Sequence, residues 1–319
     1  MGGMARVTVI AATVNARDAL LATAETILRQ SFRDFDFFIA DDGSTDGTGL
    51  AALSRFGPDT TRAERVWGDC LREDTGTRCV RMIRDGIGIH YLHQVIARGP
   101  GAARNRALVM ASGEMLAFAE PGDLWHPDKL ARQVRLLDDH ADLGAVLSPH
   151  HGRKRRTAAC RASKLQVVSF ESILEVDTEP LGGSLVRRAC LNGEVPFDEN
   201  LPVGEEFDFW LRLTTRHLVA RCEEPLQVDA PTARVADWGL ERFRVYTLEK
   251  AYQGGHLGAL LRHRVAEELV RQCEHLVDGY RQRENQERAN FYDRKRKRFA
   301  QEITKLDVSD PIFSRTHAG

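Results

Sequence analysis

The segment Asp41-Asp42-Gly43-Ser44 ends an apolar run abruptly and gathers two carboxylates and a hydroxyl at one point of the chain. A carboxylate such as Asp41 can accept a hydrogen bond from the imide N–H of uracil or thymine, and a neighbour can hold a ribose hydroxyl. The same residues could equally cap the helix that follows. A second acidic pair, Glu205-Glu206, opens the helical segment Phe207 to Leu213, where the helix dipole favours acids. Asp208 lies two residues on. A third acidic turn, Glu120-Pro121-Gly122-Asp123, stops another apolar run. Between the turns, Arg104-Asn105 stands on an alanine-rich helix, and a fixed guanidinium there could pair with a diphosphate or simply face solvent.

The elements around these residues alternate. Val7 to Ala12 is a continuous apolar run with β-branched residues, the pattern of a strand buried on both faces. Asp18 to Gln30 has helical spacing, and Phe35 to Ala40 is a second buried strand. Strands are also expected at Ile89 to Leu92 and Met115 to Ala119, and helices at Ala102 to Ala111 and Pro127 to Asp138. Strand–helix–strand order predicts a mostly parallel sheet with right-handed crossovers, whose ligands lie beyond the carboxyl ends of the strands. The acidic cluster at Asp41-Asp42 sits at such an end. Residues 57–90 begin with Gly57-Pro58-Asp59, are rich in arginine, and read as an insertion or long loop. Trp125 and Trp210 read as packing anchors. From Leu240 to Lys305 the period is helical throughout, so residues 236–319 form a helical region, packed on residues 1–235 or used for homodimerisation.

Composition bounds the partners. The chain has 319 residues, 42% hydrophobic and 29% charged, with a formal net charge of −1, which gives no reason to expect nucleic acid. The run Arg294-Lys295-Arg296-Lys297-Arg298 is either a solvated helix face or a contact for an acidic partner or membrane surface. Six scattered cysteines without CxxC spacing fit reduced thiols. With no signal peptide and no apolar stretch of the roughly 18 to 20 residues needed to span a bilayer, a cytoplasmic protein with at most peripheral membrane contact is expected. Neither HExxH, GxSxG nor GxxxxGK[ST] occurs; His150-His151 precedes a basic stretch, Arg153 to Arg156, that could approach phosphate.

Nine pieces of the sequence, in order, resemble glycosyltransferase family 2. They are Val9 to Asn15, Gln30 to Phe35, Asp41 to Thr48, Ala102 to Asn105, Gly113 to Phe118, Leu124 to Leu130, Gly183 to Arg188, Phe197 to Glu199 and Gly204 to Arg212. The resemblance spans about residues 5 to 225 and implies the GT-A fold, an α/β nucleotide-binding sandwich. It implies an inverting transfer of a sugar from a UDP- or dTDP-sugar to an acceptor that the sequence does not identify. Thr13, Asn15, Asp41, Asp42 and Ser44 would line the nucleotide pocket, with Arg104 and Asn105 bordering it. Glu206 falls at the general base, where the family usually has Glu-Asp, and Asp208 is the alternative.

The family's Asp-x-Asp motif falls on Glu120, Pro121 and Gly122, so Gly122 stands where a ligand of Mg²⁺ or Mn²⁺ is expected. Asp123 or Glu120 could take over coordination, arginines could stabilise the diphosphate instead, or catalysis could be lost. The competing readings are a nucleotide-sugar-binding relative without transfer and, on the same sandwich, a sugar nucleotidyltransferase.

Overall fold

The computed structural model describes residues 5–57, 77–149, 165–175, 180–191, 193, 195–228 and 238–309. Trp67, Cys70, Cys160 and the basic stretch from His150 to Arg156 lie outside them.

Alternation along the first strands explains how the sheet is covered on both faces. In β1 (Val7–Thr13) every residue is buried. Ile10 and Ala12 enter one core, while Val7, Val9 and Ala11 enter the other. β2 (Phe35–Asp41) splits the same way, Phe38 and Ala40 against Phe35, Phe37 and Ile39. Successive side chains point to opposite faces, so a strand that is apolar throughout must lie between two layers.

The connecting elements supply those layers. α1 (Arg17–Leu28) joins β1 to β2, and α2 (Thr48–Phe56) follows β2. After β3 (Thr77–Arg84) and β4 (Ile87–Gln94) comes α3 (Pro100–Met110), then β5 (Met115–Ala119). The short β6 (Leu124–Trp125), α4 (Lys129–Asp139), β7 (Leu143–Leu147), β8 (Leu165–Val168) and α5 (Phe170–Glu175) complete the first half. A 3-10 turn at Leu181–Gly183 leads into β9 (Ser184–Arg187), and α6 (Glu205–Arg216) leads to β10 (Leu218–Cys222) and β11 (Gln227–Val228).

Nine strands form one sheet in the order β3-β4-β2-β1-β5-β9-β7-β10-β8. β1, β2, β4 and β5 are mutually parallel, as are β7 and β10, and β9 runs against both groups. Six strands therefore share one direction, and β3, β8 and β9 oppose it. The sheet is mostly parallel, as expected, with β3 and β8 as antiparallel edges. β6 and β11 pair apart from it.

Of the insertion or long loop expected over 57–90, the part from Thr77 onward is not loop but strand. Residues 77–94 form a hairpin, β3 against β4, in full register from Thr77↔Gln94 to Arg84↔Ile87. Its two-residue turn is Asp85-Gly86, with φ of 50° and 80°. Both values belong to a type I′ turn, which matches strand twist and favours Asp-Gly. The expectation of reduced cysteines holds for Cys190, Cys222 and Cys273, which are free thiols. It fails at Cys79, which is disulfide-bonded.

α7 (Glu241–Gln253), α8 (Ala259–Gln282) and α9 (Gln286–Ser309) form the helical region. α7 packs on α6, α8 on α5, and α8 pairs with α9. Val265, Leu269, Cys273 and Leu276 of α8 join the same core as Ile10 and Phe118 of the sheet. Among the described residues no helix is long and apolar enough to cross a membrane. Within the basic run, Lys295 pairs with Glu249 at 2.5 Å, and Arg296 and Lys297 pair with Asp293 at 2.9 and 2.8 Å. Those three charges meet acids of the same helical region.

Candidate active site

The carboxyl ends of β1 and β2 are tied together by the residues singled out there. The Ser44 hydroxyl accepts from the Asn15 N–H at 2.8 Å, and the Asn15 carbonyl oxygen Oδ1 accepts from the Thr45 N–H at 2.8 Å. Asn15 is one of few non-glycine residues at positive φ, 47°, a conformation asparagine tolerates better than most. Asp41 is 1% exposed, and its Oδ1 accepts from the Ser44 N–H at 2.9 Å. Its Oδ2 accepts from the Tyr91 hydroxyl and lies 3.4 Å from His93 Nδ1. Burial first, then Asp41, hold the Tyr91 phenol well above its ordinary range, so it stays a donor. Tyr91 reaches Asp41 past Gly49 of α2, where an added Cβ would lie 2.3 Å from the phenol oxygen. Thr13, also buried, has no hydrogen-bond partner for Oγ1.

Asp42 turns away from this cluster. Its two oxygens accept the N–H groups of Arg98 and Gly99, each at 2.8 Å, and so fasten the start of α3 to the end of β2. That link carries α3, and Arg104 on it, across the ends of β5 and α6. Asn105 acts in the same helix as a clamp: it donates to the Phe197 carbonyl at 2.8 Å and accepts from the Phe197 N–H at 3.1 Å.

Arg104 is 2% exposed and is no surface arginine. Its guanidinium donates to Glu205 at 2.6 Å and to Glu120 at 2.5 Å, and reaches Glu206 at 3.5 Å. Burial works against its charge, but Glu120, Glu205 and Glu206 more than offset it and strengthen the hold on the proton. Three carboxylates around one guanidinium leave the cluster short of positive charge. The deficit falls on Glu206, whose carboxyl is pushed up to about 8. Burial is the main cause, repulsion from Glu120 and Glu205 adds to it, and Arg104 and the Leu181 N–H oppose it.

The turn after β5 departs from a metal-binding arrangement. Gly122 has φ of 99°, which a side-chain-bearing residue adopts only under strain, and its N–H donates to the Thr23 hydroxyl at 2.7 Å. Asp123 is 4% exposed; its Oδ2 accepts from the Glu120 N–H at 3.1 Å and packs against Gly182. Behind it lies Lys129, fully buried, bonded to Gln133 at 2.8 Å and set 4.0 Å from the Trp125 ring. Burial lowers the Lys129 ammonium to about 7, against the pull of Asp123 and Cys222. Glu120 thus turns to Arg104 and Asp123 turns inward, while Gly122 offers no donor. These residues do not fit a cation bridging a diphosphate, and among the described residues no group of three or more His, Cys, Asp or Glu could hold a metal.

The sequence model described as Glycosyl transferase family 2 matches residues 8–59 and 70–183, just over half of the chain. The chain belongs to glycosyl transferase family 2. It is 31% identical over 131 residues to the putative teichuronic acid biosynthesis glycosyltransferase TuaG of Bacillus subtilis (strain 168), 41% of each chain. It is 27% identical over 135 residues to the UDP-Glc:alpha-D-GlcNAc-diphosphoundecaprenol beta-1,3-glucosyltransferase WfaP of Escherichia coli, 42% of each. The chain therefore spans about two fifths of the length of these curated relatives. S. aureus TarS 1-349, solved in complex with UDP-GlcNAc, shares the fold with a TM-score of 0.56 at 15% identity, over 92% of each chain. The architecture is thus the mixed α/β GT-A type that the ordered motifs implied.

Within the family 2 frame, the candidate residues divide into two groups. Thr13, Asn15, Asp41 and Ser44 converge at one strand end; Arg104, Glu120 and Glu206 converge at another. Asp208 joins neither. It is fully buried, paired with Lys250 at 2.5 Å and Arg212 at 2.9 Å, and lines a cavity of about 600 Å³ between α6 and α7. Trp125 and Trp210 are buried as packing anchors, at 4% and 0% exposure. Tyr91 and His93 stand in no motif of the sequence; the parallel register of β2 with β4 sets His93 opposite Asp41.

Proposed function

We propose that this chain is an inverting glycosyltransferase that moves a sugar from a UDP- or dTDP-sugar to a saccharide hydroxyl. The observation that carries the reading is Glu206: a carboxyl at the first turn of α6, raised into the range of a general base and clustered with Arg104 of α3 and with Glu120 just after β5. A base whose pKa lies near the working pH combines availability with proton affinity. In this reading Asp41 accepts the imide N–H of the nucleobase, and the unmatched Thr13 Oγ1 is a group the nucleoside satisfies. Glu206 takes the proton of the acceptor hydroxyl as its oxygen attacks the anomeric carbon. The bond from that carbon to the diphosphate oxygen breaks on the opposite face, and the nucleoside diphosphate leaves with the electron pair. A saccharide acceptor is supported by the name of WfaP, and a uridine donor by that name and by the UDP-GlcNAc complex of TarS.

No step is assigned to a divalent cation, because Glu120, Gly122 and Asp123 are turned to other uses. The same observation supports the second reading, a relative that binds nucleotide-sugar without transferring it. Incubation with UDP-glucose or UDP-GlcNAc and saccharide acceptors, with free UDP measured, separates the two. Transfer predicts acceptor-dependent UDP release that Glu206→Gln lowers by about a hundredfold or more, with UDP affinity little changed. Turnover retained in Glu206→Gln contradicts the assignment of the base, and UDP binding without release in any combination favours the second reading.

A further inference from the structure

Arg104 is held through its helix and its two Nη nitrogens, while its buried Nε has no hydrogen-bond partner among the described residues. Its helix is tied to β2 through Asp42, its neighbour Asn105 is clamped to the Phe197 backbone, and its guanidinium lies 5.4 Å from the Phe197 ring. Its planar fork divides the work. Nη1 goes to Glu205, which is 5% exposed, while Nη2 serves Glu120 and Glu206. A lysine could supply the charge, but not a rigid planar fork with donors on two separate nitrogens. For Arg104 to swing out to a diphosphate, Glu205 would be left inside the protein without its cation, a strongly unfavourable state. The 3.5 Å reach to Glu206 is long beside the 2.6 Å bond to Glu205. Glu205 is therefore the anchor, and Glu206 is steered without being tightly neutralised.

We propose that Arg104 is a positioning residue for the transfer step: it anchors the first turn of α6 through Glu205, aims the Glu206 carboxylate at the acceptor, and does not bind the donor diphosphate. This rests on Glu206 as the base. The groups facing Glu206 are Arg104 from α3, Glu120 from the end of β5, Glu205 from its own helix and the Leu181 N–H. Removing the arginine charge leaves two carboxylates against the single Leu181 N–H, so the base becomes harder to ionise.

The test uses the full chain, with UDP titration and acceptor-dependent UDP release measured for Arg104→Gln, Arg104→Lys and Glu206→Gln. For Arg104→Gln, kcat falls by about a hundredfold, UDP affinity stays within about threefold, and the acid limb of the pH profile moves to higher pH. For Arg104→Lys the acid limb stays near that of the parent and kcat lies between the two, since charge is kept and the fork is lost. Loss of UDP affinity by about tenfold or more, with kcat at saturation preserved, overturns the proposal and makes Arg104 a diphosphate ligand. Should Arg104→Gln fail to melt as a folded protein, Arg104→Lys decides by the same two readouts. Unchanged turnover in Glu206→Gln points instead to failure of the base assignment, whatever Arg104 does.

Discussion

At the scale of single residues, the account turns on where protons sit. Glu206 is raised from an ordinary 4.5 to about 8 by burial and by two carboxylate neighbours. If it is the base, kcat/KM falls roughly tenfold per pH unit below about 8, and a pH–rate profile with a limb near pH 5 contradicts that. The same shift has a consequence for stability. The folded chain binds this proton more tightly than the unfolded chain, so stability declines as pH rises from about 4.5 to about 8. Glu206→Gln removes the decline and should raise Tm by roughly 1–2 °C at pH 8.5, the effect of about 1 kcal/mol in a chain of 319 residues. The acids themselves were legible in the sequence, because their types and places carry meaning. Their partners were not. Nothing local to Arg104 says that its guanidinium faces three glutamates, since those come from segments 16 and 101–102 residues away.

At the scale of elements, apolar runs were the reliable signal. β1, β2 and β5 stand out because burial on both faces demands an unbroken run of apolar residues. β3 is an edge strand, and Arg81 and Ile83 on it are exposed while Cys79, Val80 and Met82 are buried. Arginines on an edge read as loop, and only Asp85-Gly86 betrays the hairpin. The turn after β5 is the counterpart case. Gly122 reads as a lost metal ligand, but its φ of 99° shows that this turn is built for glycine. Gly122→Asp therefore should not restore a metal site. It should lower stability by about 1–2 kcal/mol, the cost of left-handed backbone for an ordinary residue, and leave the Mn²⁺ dependence of UDP binding unchanged. A melting curve and a UDP titration with and without Mn²⁺ check both parts; an appearance of Mn²⁺-dependent affinity contradicts the argument.

At the scale of the whole molecule, the helical region is continuous with the α/β sandwich. The sequence showed helices past Leu240 but left open whether they pack on the sandwich or serve self-association. Packing cannot be read from period alone, because an apolar stripe does not name its partner. In the structure α8 shares a core with the sheet, and Lys250 of α7 pairs with Asp198 at 2.6 Å and with the buried Asp208 at 2.5 Å. Truncation before α7 uncovers that core and removes Lys250 from Asp208, which is left with Arg212 as its cation. The truncated chain is expected to lose its cooperative melt by circular dichroism. A fragment that melts like the full chain contradicts the shared core.

The proposed function places the nucleoside of the donor at the ends of β1 and β2, with no metal at Gly122. Isothermal titration with UDP, in EDTA and in Mn²⁺, for the parent chain and for Asp41→Ala, tests it most directly. The account predicts one UDP per chain, an affinity within about threefold in the two buffers, and a loss of about tenfold or more in Asp41→Ala. No affinity in EDTA that Mn²⁺ restores, or equal affinity in Asp41→Ala, contradicts it.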